Sequence, residues 1–133
     1  MTEAVFTLAY RSRSSAPLAD EETLIAIQSV SQIHNVSNRL TGALAYGDSY
    51  FVQVLEGPEE PLVETMDRIR ADTRHHSIDL LGPRGTTNRV FPDWSMARLS
   101  VEPGLRHVLS PLFADWHQYG PQAATLLARA LDE

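Results

Sequence analysis

The 133-residue sequence contains no cysteine. This excludes disulfides, thiolate metal sites and a cysteine nucleophile, and it is typical of a cytoplasmic protein. Basic residues are few, with 11 Lys and Arg against 17 Asp and Glu, and the net charge of −6 disfavours nucleic acid as a partner. No apolar run approaches the ~20 residues of a membrane span, and the N-terminus lacks a signal-peptide pattern. We therefore expect a cytoplasmic protein with no membrane partner.

Common catalytic motifs are also missing. The sequence has no GxSxG, P-loop or HExxH pattern. Adjacent side chains such as His75 and His76 rarely converge on one ion, so no metal site is expected. Arg11 and Arg13 fit a solvated rim better than a phosphate clamp. Our main expectation is a protein without enzymatic activity. Two alternatives are kept beside it: a small ferredoxin-like hydrolase, and a non-sensory oligomerising module.

Hydrophobic residues make up 43% of the chain, enough for the core of one domain. The periodicity predicts strands over 4–10, 40–46, 49–55, 77–82 and 89–99, and helices from Asp20 to about Ile33 and over 60–71. Gly47 and Asp48 predict a hairpin turn, and residues 103–131 predict two helices. This order, βαββαββ plus a helical tail, predicts an α+β fold of ferredoxin-like type. Its mixed five-stranded sheet would carry two helices on one face.

Gln53 is unusual, because it lies in an apolar strand. A buried amide without a partner costs about 1–3 kcal/mol. Gln53 shares a strand face with Phe51 and Leu55, as Tyr10 does with Leu8. If the two strands are neighbours, the Tyr10 hydroxyl meets the Gln53 amide. The residues alone fit a structural hydrogen bond in the core as well as a functional pair.

Three further residues each allow a structural and a functional interpretation. Asn35, which follows the predicted first helix and stands beside His34, fits a helix C-cap or a ligand-binding residue. Trp94 and Met96 are two apart in the predicted fifth strand and would share a face, as core residues or as a switch.

Together these residues resemble the BLUF family, which senses blue light using FAD. The resemblance runs over about residues 4–99 through LAYRS at 8–12, HNVSNRLTGAL at 34–44, FVQVLEGP at 51–58, DTRHHSI at 72–78 and RVFPDWSM at 89–96. Many members have Asn-Asn where this chain has His34-Asn35, and some have His-Asn. The resemblance implies a BLUF flavin-binding domain over 1–100 and a C-terminal helical extension over 101–133.

The resemblance also assigns roles to residues. Tyr10 matches the electron-donating tyrosine, and Gln53 matches the glutamine between it and the flavin. Trp94 and Met96 match the output switch. The implied cofactor-binding residues are Tyr10, Ile27, Ser31, His34, Asn35, Leu44, Phe51, Gln53, Ile69, Asp72, Arg74, His75 and Met96. The cofactor is FAD, bound non-covalently, with FMN or riboflavin as substitutes because no Gly-rich loop is present to hold the phosphates.

The family's mechanism then follows for this chain as an expectation. Light drives an electron and a proton from Tyr10 through Gln53, and the hydrogen bonds at the flavin rearrange. The signal leaves through the fifth strand and the C-terminal helices, where Val101, Leu105, Leu109 and Leu112 would pack on the sheet. No output domain is expected, so the signal would pass to an unidentified partner protein or to a homodimer.

Overall fold

The computed structural model describes residues 4–15, 21–47, 49–100 and 103–131. Its strands are β1 (Val5–Ser14), β2 (Thr41–Gly47), β3 (Tyr50–Gly57), β4 (His75–Thr86) and β5 (Ala97–Ser100). Its helices are α1 (Glu21–Asn38), α2 (Glu59–Ala71), α3 (Pro103–Ala114), α4 (Trp116–Tyr119) and α5 (Ala123–Leu131), with a 3₁₀ turn over Gly120–Gln122. Asp20, Asp48, Val101 and the side chain of Leu105 lie outside the described part of the chain.

The strands form one sheet in the order β4-β1-β3-β2-β5. The pairs β4–β1, β1–β3 and β3–β2 are antiparallel, and the short β5 pairs parallel to β2. The predicted α+β class with C-terminal helices is therefore confirmed.

The register of β1 on β3 aligns Tyr10 with Gln53. Because side chains alternate along a strand, both point to the same face of the sheet. That face carries Leu8, Leu44 and Phe51 and packs against α2, with α1 above β2 and β5. The prediction that Tyr10 and Gln53 meet is confirmed.

The opposite face of the sheet is covered by the C-terminal helices. Val52 and Val54 of β3 pack there with Leu109, Leu112 and Leu127, all buried. Burying a side chain of this size stabilises the fold by roughly 1.5–3 kcal/mol. The predicted packing of Leu109 and Leu112 is thus confirmed. Of the described residues, none belongs to a helix long and apolar enough to cross a membrane.

Several predicted boundaries were wrong. Helix α1 continues past Ile33 to Asn38, and it ends where Arg39 adopts a φ of 58° and Leu40 N donates to Asn35 O at 2.8 Å. Asn35 therefore lies inside the last helical turns and does not follow the helix. Strand β1 extends to Ser14, and β4 covers His75–Thr86 instead of 77–82.

The predicted fifth strand over 89–99 was the largest error, since β5 contains only Ala97–Ser100. Pro92 has no N–H for a sheet ladder, and Trp94 N donates to Phe91 O in a turn. The N–H groups of Val90 and Phe91 instead donate to the Glu56 carboxylate, at 2.8 and 2.6 Å. We call residues 87–96 the β4–β5 linker.

Candidate functional site

An open cleft of about 180 Å³ lies between α1 and α2, over the sheet face that carries Tyr10. Most of the predicted cofactor-binding residues line it, together with three that were not predicted. The predicted ones are Tyr10, Ile27, Ser31, His34, Asn35, Leu44, Phe51, Gln53, Ile69, Asp72, Arg74 and His75.

Apolar side chains line the cleft from three sides. Ile27 comes from α1, Ile69 from α2, and Leu44 and Phe51 from the sheet. Ile27 and Ile69 are half-buried and pack against the core under the cleft. A flat apolar ligand between the two helices would contact both isoleucines.

Tyr10, Gln53 and Met96 form a hydrogen-bonded chain at the bottom of the cleft. Tyr10 Oη donates to Gln53 Oε1 at 2.5 Å, and Gln53 Nε2 donates to Met96 Sδ at 3.5 Å. All three side chains are buried. The Gln53 amide is therefore held between a strong hydroxyl donor and a weak thioether acceptor. Of these two contacts, the one with the Met96 thioether is easily broken.

Burial raises the pKa of the Tyr10 phenol well above its usual value, and the negative charge of Asp72 raises it further. Tyr10 is therefore a neutral phenol at any ordinary pH. Its proton is directed at Gln53 Oε1. Oxidation of such a phenol requires that its proton leaves with the electron, and Gln53 Oε1 is the acceptor in place.

Trp94 and Met96 do not share a face as predicted. Met96 is fully buried, whereas Trp94 is 50% exposed, because the linker is irregular here. Met96 does not line the cleft and reaches it only through Gln53. Asn35 Nδ2 donates to Ser95 O at 2.6 Å, and its second amide hydrogen is available to a ligand.

His34 connects α1 with α2 at the mouth of the cleft. A guanidinium can only donate, so the 2.6 Å contact from Arg68 Nη1 makes His34 Nδ1 an acceptor. Nε2 then carries the hydrogen and donates to Thr65 Oγ1 at 2.8 Å, and Thr65 Oγ1 donates to Pro61 O at 2.7 Å. This pair of contacts, from Arg68 to Nδ1 and from Nε2 to Thr65, requires a neutral His34 imidazole.

Partial burial and the neighbouring Arg68 charge lower the pKa of His34 below its usual 6.5. The imidazole of His34 therefore binds a proton more readily in the unfolded chain than in the folded one. Its contribution to the stability of the fold is fully present above pH 6.5 and is lost as the pH falls through the lowered pKa of the folded state. We expect His34→Asn to reduce the fall in melting temperature of the flavin-loaded protein between pH about 8 and about 5. His117→Asn, exposed in α4, is the matched control. Equal slopes for His34→Asn and the unchanged chain would contradict this role.

The end of α2 carries a second polar group. Arg74 donates from Nη2 and Nε to the Asp72 carboxylate, at 2.5 and 3.0 Å, which lowers the pKa of Asp72. His75 contacts Ser12 Oγ through Nδ1 and Ile69 O through Nε2, both at 2.6 Å. Since Ile69 O only accepts, Nε2 donates and Nδ1 accepts from Ser12. His75 thereby holds the start of β4 against α2 and β1.

Three residues of the cleft were missed: Val30, Thr65 and Arg68. Thr65 and Arg68 stand seven and four residues before Asp72, so the helical period places them on its face. Val30 stands three residues after Ile27 and one turn before His34. This spacing was the available signal, and it was obscured because their side-chain types are common on helix surfaces.

A model of the family described as sensors of blue light using FAD, the BLUF family, matches residues 5–97. The chain belongs to this family. BLUF domains are sensory modules, and their cofactor is FAD.

Named relatives agree with this assignment. The photoactivated adenylate cyclase subunit beta of Euglena gracilis is 33% identical over 112 residues, which cover 80% of this chain and 13% of the relative. The corresponding subunit of Euglena longa is 32% identical with the same coverage. This chain therefore spans about an eighth of the length of those relatives.

Solved structures give the same result over a longer range. The dark-state structure of BlrB, a BLUF protein, has a TM-score of 0.79 and 34% identity, with 98% of this chain and 97% of that chain covered. A bacterial light-regulated adenylyl cyclase has a TM-score of 0.76 and 26% identity, with 95% of this chain and 40% of that chain covered.

The cleft fits a flavin on its own chemistry. An isoalloxazine ring is flat and apolar on its faces, and its pyrimidine edge is rich in acceptors. Ile27 and Ile69 offer apolar surface from opposite helices, and the amides of Asn35 and Gln53 and the Arg68 guanidinium offer donors. Over the described ranges, no three His, Asp or Glu side chains gather as a metal site requires.

Proposed function

We propose that this chain is a blue-light photoreceptor that holds FAD non-covalently in the cleft and registers light through Tyr10 and Gln53. The observation that carries the proposal is the 2.5 Å hydrogen bond from Tyr10 Oη to Gln53 Oε1 at the bottom of the cleft. It places a phenol, and an amide that can rotate to exchange its donor and its acceptor, at the bottom of the cleft proposed for the flavin ring.

The roles of the cleft residues follow from their chemistry. Ile27 and Ile69 would hold the two faces of the ring, and Leu44 and Phe51 would exclude water below it. Asn35, through its second amide hydrogen, and Arg68 would donate to the acceptor-rich edge. The apolar and amide groups of the cleft suit the ring half of FAD, and the sequence has no Gly-rich loop to hold the phosphates. FMN and riboflavin should therefore bind as well.

When bound and excited by blue light, a flavin supplies a strong one-electron oxidant. Tyr10 would lose an electron to the excited ring, and its phenolic proton would leave Oη through Gln53 Oε1. The electron and the proton then return to Tyr10, so no residue stays oxidised, and the Gln53 amide is left rotated or in its imidic tautomer. If the amide rotates, Oε1 faces Met96 Sδ, and two acceptors oppose each other. The dark arrangement at Met96 is thereby lost without any net chemistry.

We further propose how the signal leaves this site. Residues 1–100 form the sensor, a ferredoxin-like βαββαββ unit, and 101–133 form the output extension. Met96 and Trp94 change position in the linker and move β5, against which α5 packs. A second contact joins the sheet to the tail, since Arg11, next to Tyr10, donates to Phe113 O at 2.8 Å.

We also propose that the C-terminal helices pass the signal to an effector. Relatives are named as photoactivated adenylate cyclases, so we propose that this module likewise acts on an effector. That effector would be a separate cytoplasmic protein or a second copy of this chain in a homodimer.

The direct test is reconstitution with FAD. We expect a yellow protein whose flavin absorption shifts to the red in blue light and returns in the dark, because a new hydrogen bond to an acceptor of the excited ring lowers the transition energy. Riboflavin should give the same shift, since the contacts involve the ring half. A protein that stays colourless with both flavins, or a bound flavin that never shifts, would refute the proposal.

A further inference from the structure

Three side-chain amides of α1 donate to two consecutive carbonyls of the β4–β5 linker. Gln28 Nε2 and Gln32 Nε2 both donate to Met96 O, at 3.0 and 3.2 Å. Asn35 Nδ2 donates to Ser95 O at 2.6 Å. We call this set, Gln28, Gln32 and Asn35, the amide ladder. It fixes the backbone of the residue whose side chain contacts Gln53.

The amide ladder occupies its own stripe on α1. Its members are four and three residues apart, so they share one helix face. Ile27, Ser31 and His34 form the neighbouring stripe that lines the cleft. On the far side of the ladder, Ile33 and Val36 are exposed. The ladder thus separates the cleft from solvent along the edge where α1 meets β5.

Both ends of the segment before β5 are therefore held. The Glu56 carboxylate accepts from the N–H groups of Val90 and Phe91 at one end, and the ladder donates at the other. Between them Trp94 is half-exposed. A methionine side chain is unbranched and adapts to many gaps, so its own packing specifies its place poorly. A backbone fixed by two donors does specify it.

We propose that Gln28 and Gln32 are positioning residues that hold Met96 against the Gln53 amide. The inference rests on the proposed function, in which Gln53 responds to light. A carbonyl oxygen has two lone pairs, and the two glutamines use both. The ladder keeps the Met96 backbone in place while its side chain leaves Gln53, so the dark arrangement is recovered without rebuilding the linker.

The test compares the FAD-loaded chain with Gln28→Leu/Gln32→Leu. Gln118→Leu/Gln122→Leu, which changes exposed glutamines of the tail, is the matched control. The chain has three methionines, so ¹³C-methyl labelling gives three signals, and Met96→Ala identifies that of Met96. In the dark we expect the Met96 signal of the double variant to move or split, while those of the control stay in place.

Kinetics provide the second measurement. Loss of Gln28 and Gln32, with Asn35 kept, should slow dark recovery about fivefold, the factor that corresponds to ~1 kcal/mol, because Met96 must find its place again. The red shift itself should persist, since Tyr10 and Gln53 are unchanged. Single variants keep one donor and should show smaller effects.

An unshifted Met96 signal together with an unchanged recovery rate in the double variant would overturn the inference. If the unchanged chain shows no red shift, the proposed function fails instead. The dark methyl signal then still decides whether the ladder positions Met96.

Discussion

A Tyr10→Phe variant should bind FAD and show no light-induced red shift, with the response reduced by at least about a hundredfold. Phenylalanine keeps the buried ring but has no O–H, so no proton can follow the electron to Gln53 Oε1. The flavin should also become more fluorescent, because its excited state loses its nearest electron donor. Blue-light difference spectra and flavin fluorescence measure both effects.

Tyr50→Phe is the matched control. Tyr50 lies on the opposite face of the sheet, stacked on Phe113, and its hydroxyl accepts from Arg13. The same atom is removed from a neighbouring strand, away from the cleft. We expect a normal red shift. A Tyr10→Phe protein that still shifts reversibly would show that another residue supplies the electron and proton.

Strand alternation was enough to predict the core of the site. Tyr10 and Gln53 alternate with apolar neighbours, and two such strands can align only if both polar groups face the same way. The resemblance to a family then chose between a structural pair and a functional one. Local pattern therefore predicted which residues meet at the bottom of the cleft.

The linker could not be predicted in the same way. Its residues look like a strand, but Glu56 takes the N–H groups of Val90 and Phe91, and a contact between residues more than thirty positions apart leaves no local pattern. The outer face of α1 shows a related effect. Ile33 is 74% exposed, because the inner face of the helix is used by polar ladder and cleft residues.

The buried carboxylate of Glu56 holds the start of the β4–β5 linker. Only 1% of the residue is exposed, and it accepts from two backbone N–H groups and from Thr41 Oγ1 at 2.9 Å. Glu56→Ala would leave two buried N–H groups without an acceptor, each costing about 1–3 kcal/mol, and would open a cavity.

We therefore expect Glu56→Ala to lower the free energy of unfolding by about 3–5 kcal/mol. Urea unfolding at a fixed FAD concentration measures it, since bound ligand shifts apparent stability. Glu64→Ala, exposed on α2, should change it by less than about 0.5 kcal/mol. Glu56→Gln keeps the shape and one acceptor oxygen, so its loss should fall between the two. If Glu56→Ala unfolds like Glu64→Ala, the carboxylate does not hold the linker. The position of Met96 beside Gln53 then depends on other contacts, among them the amide ladder of α1 and the hydrogen bond from Gly42 N to Trp94 O.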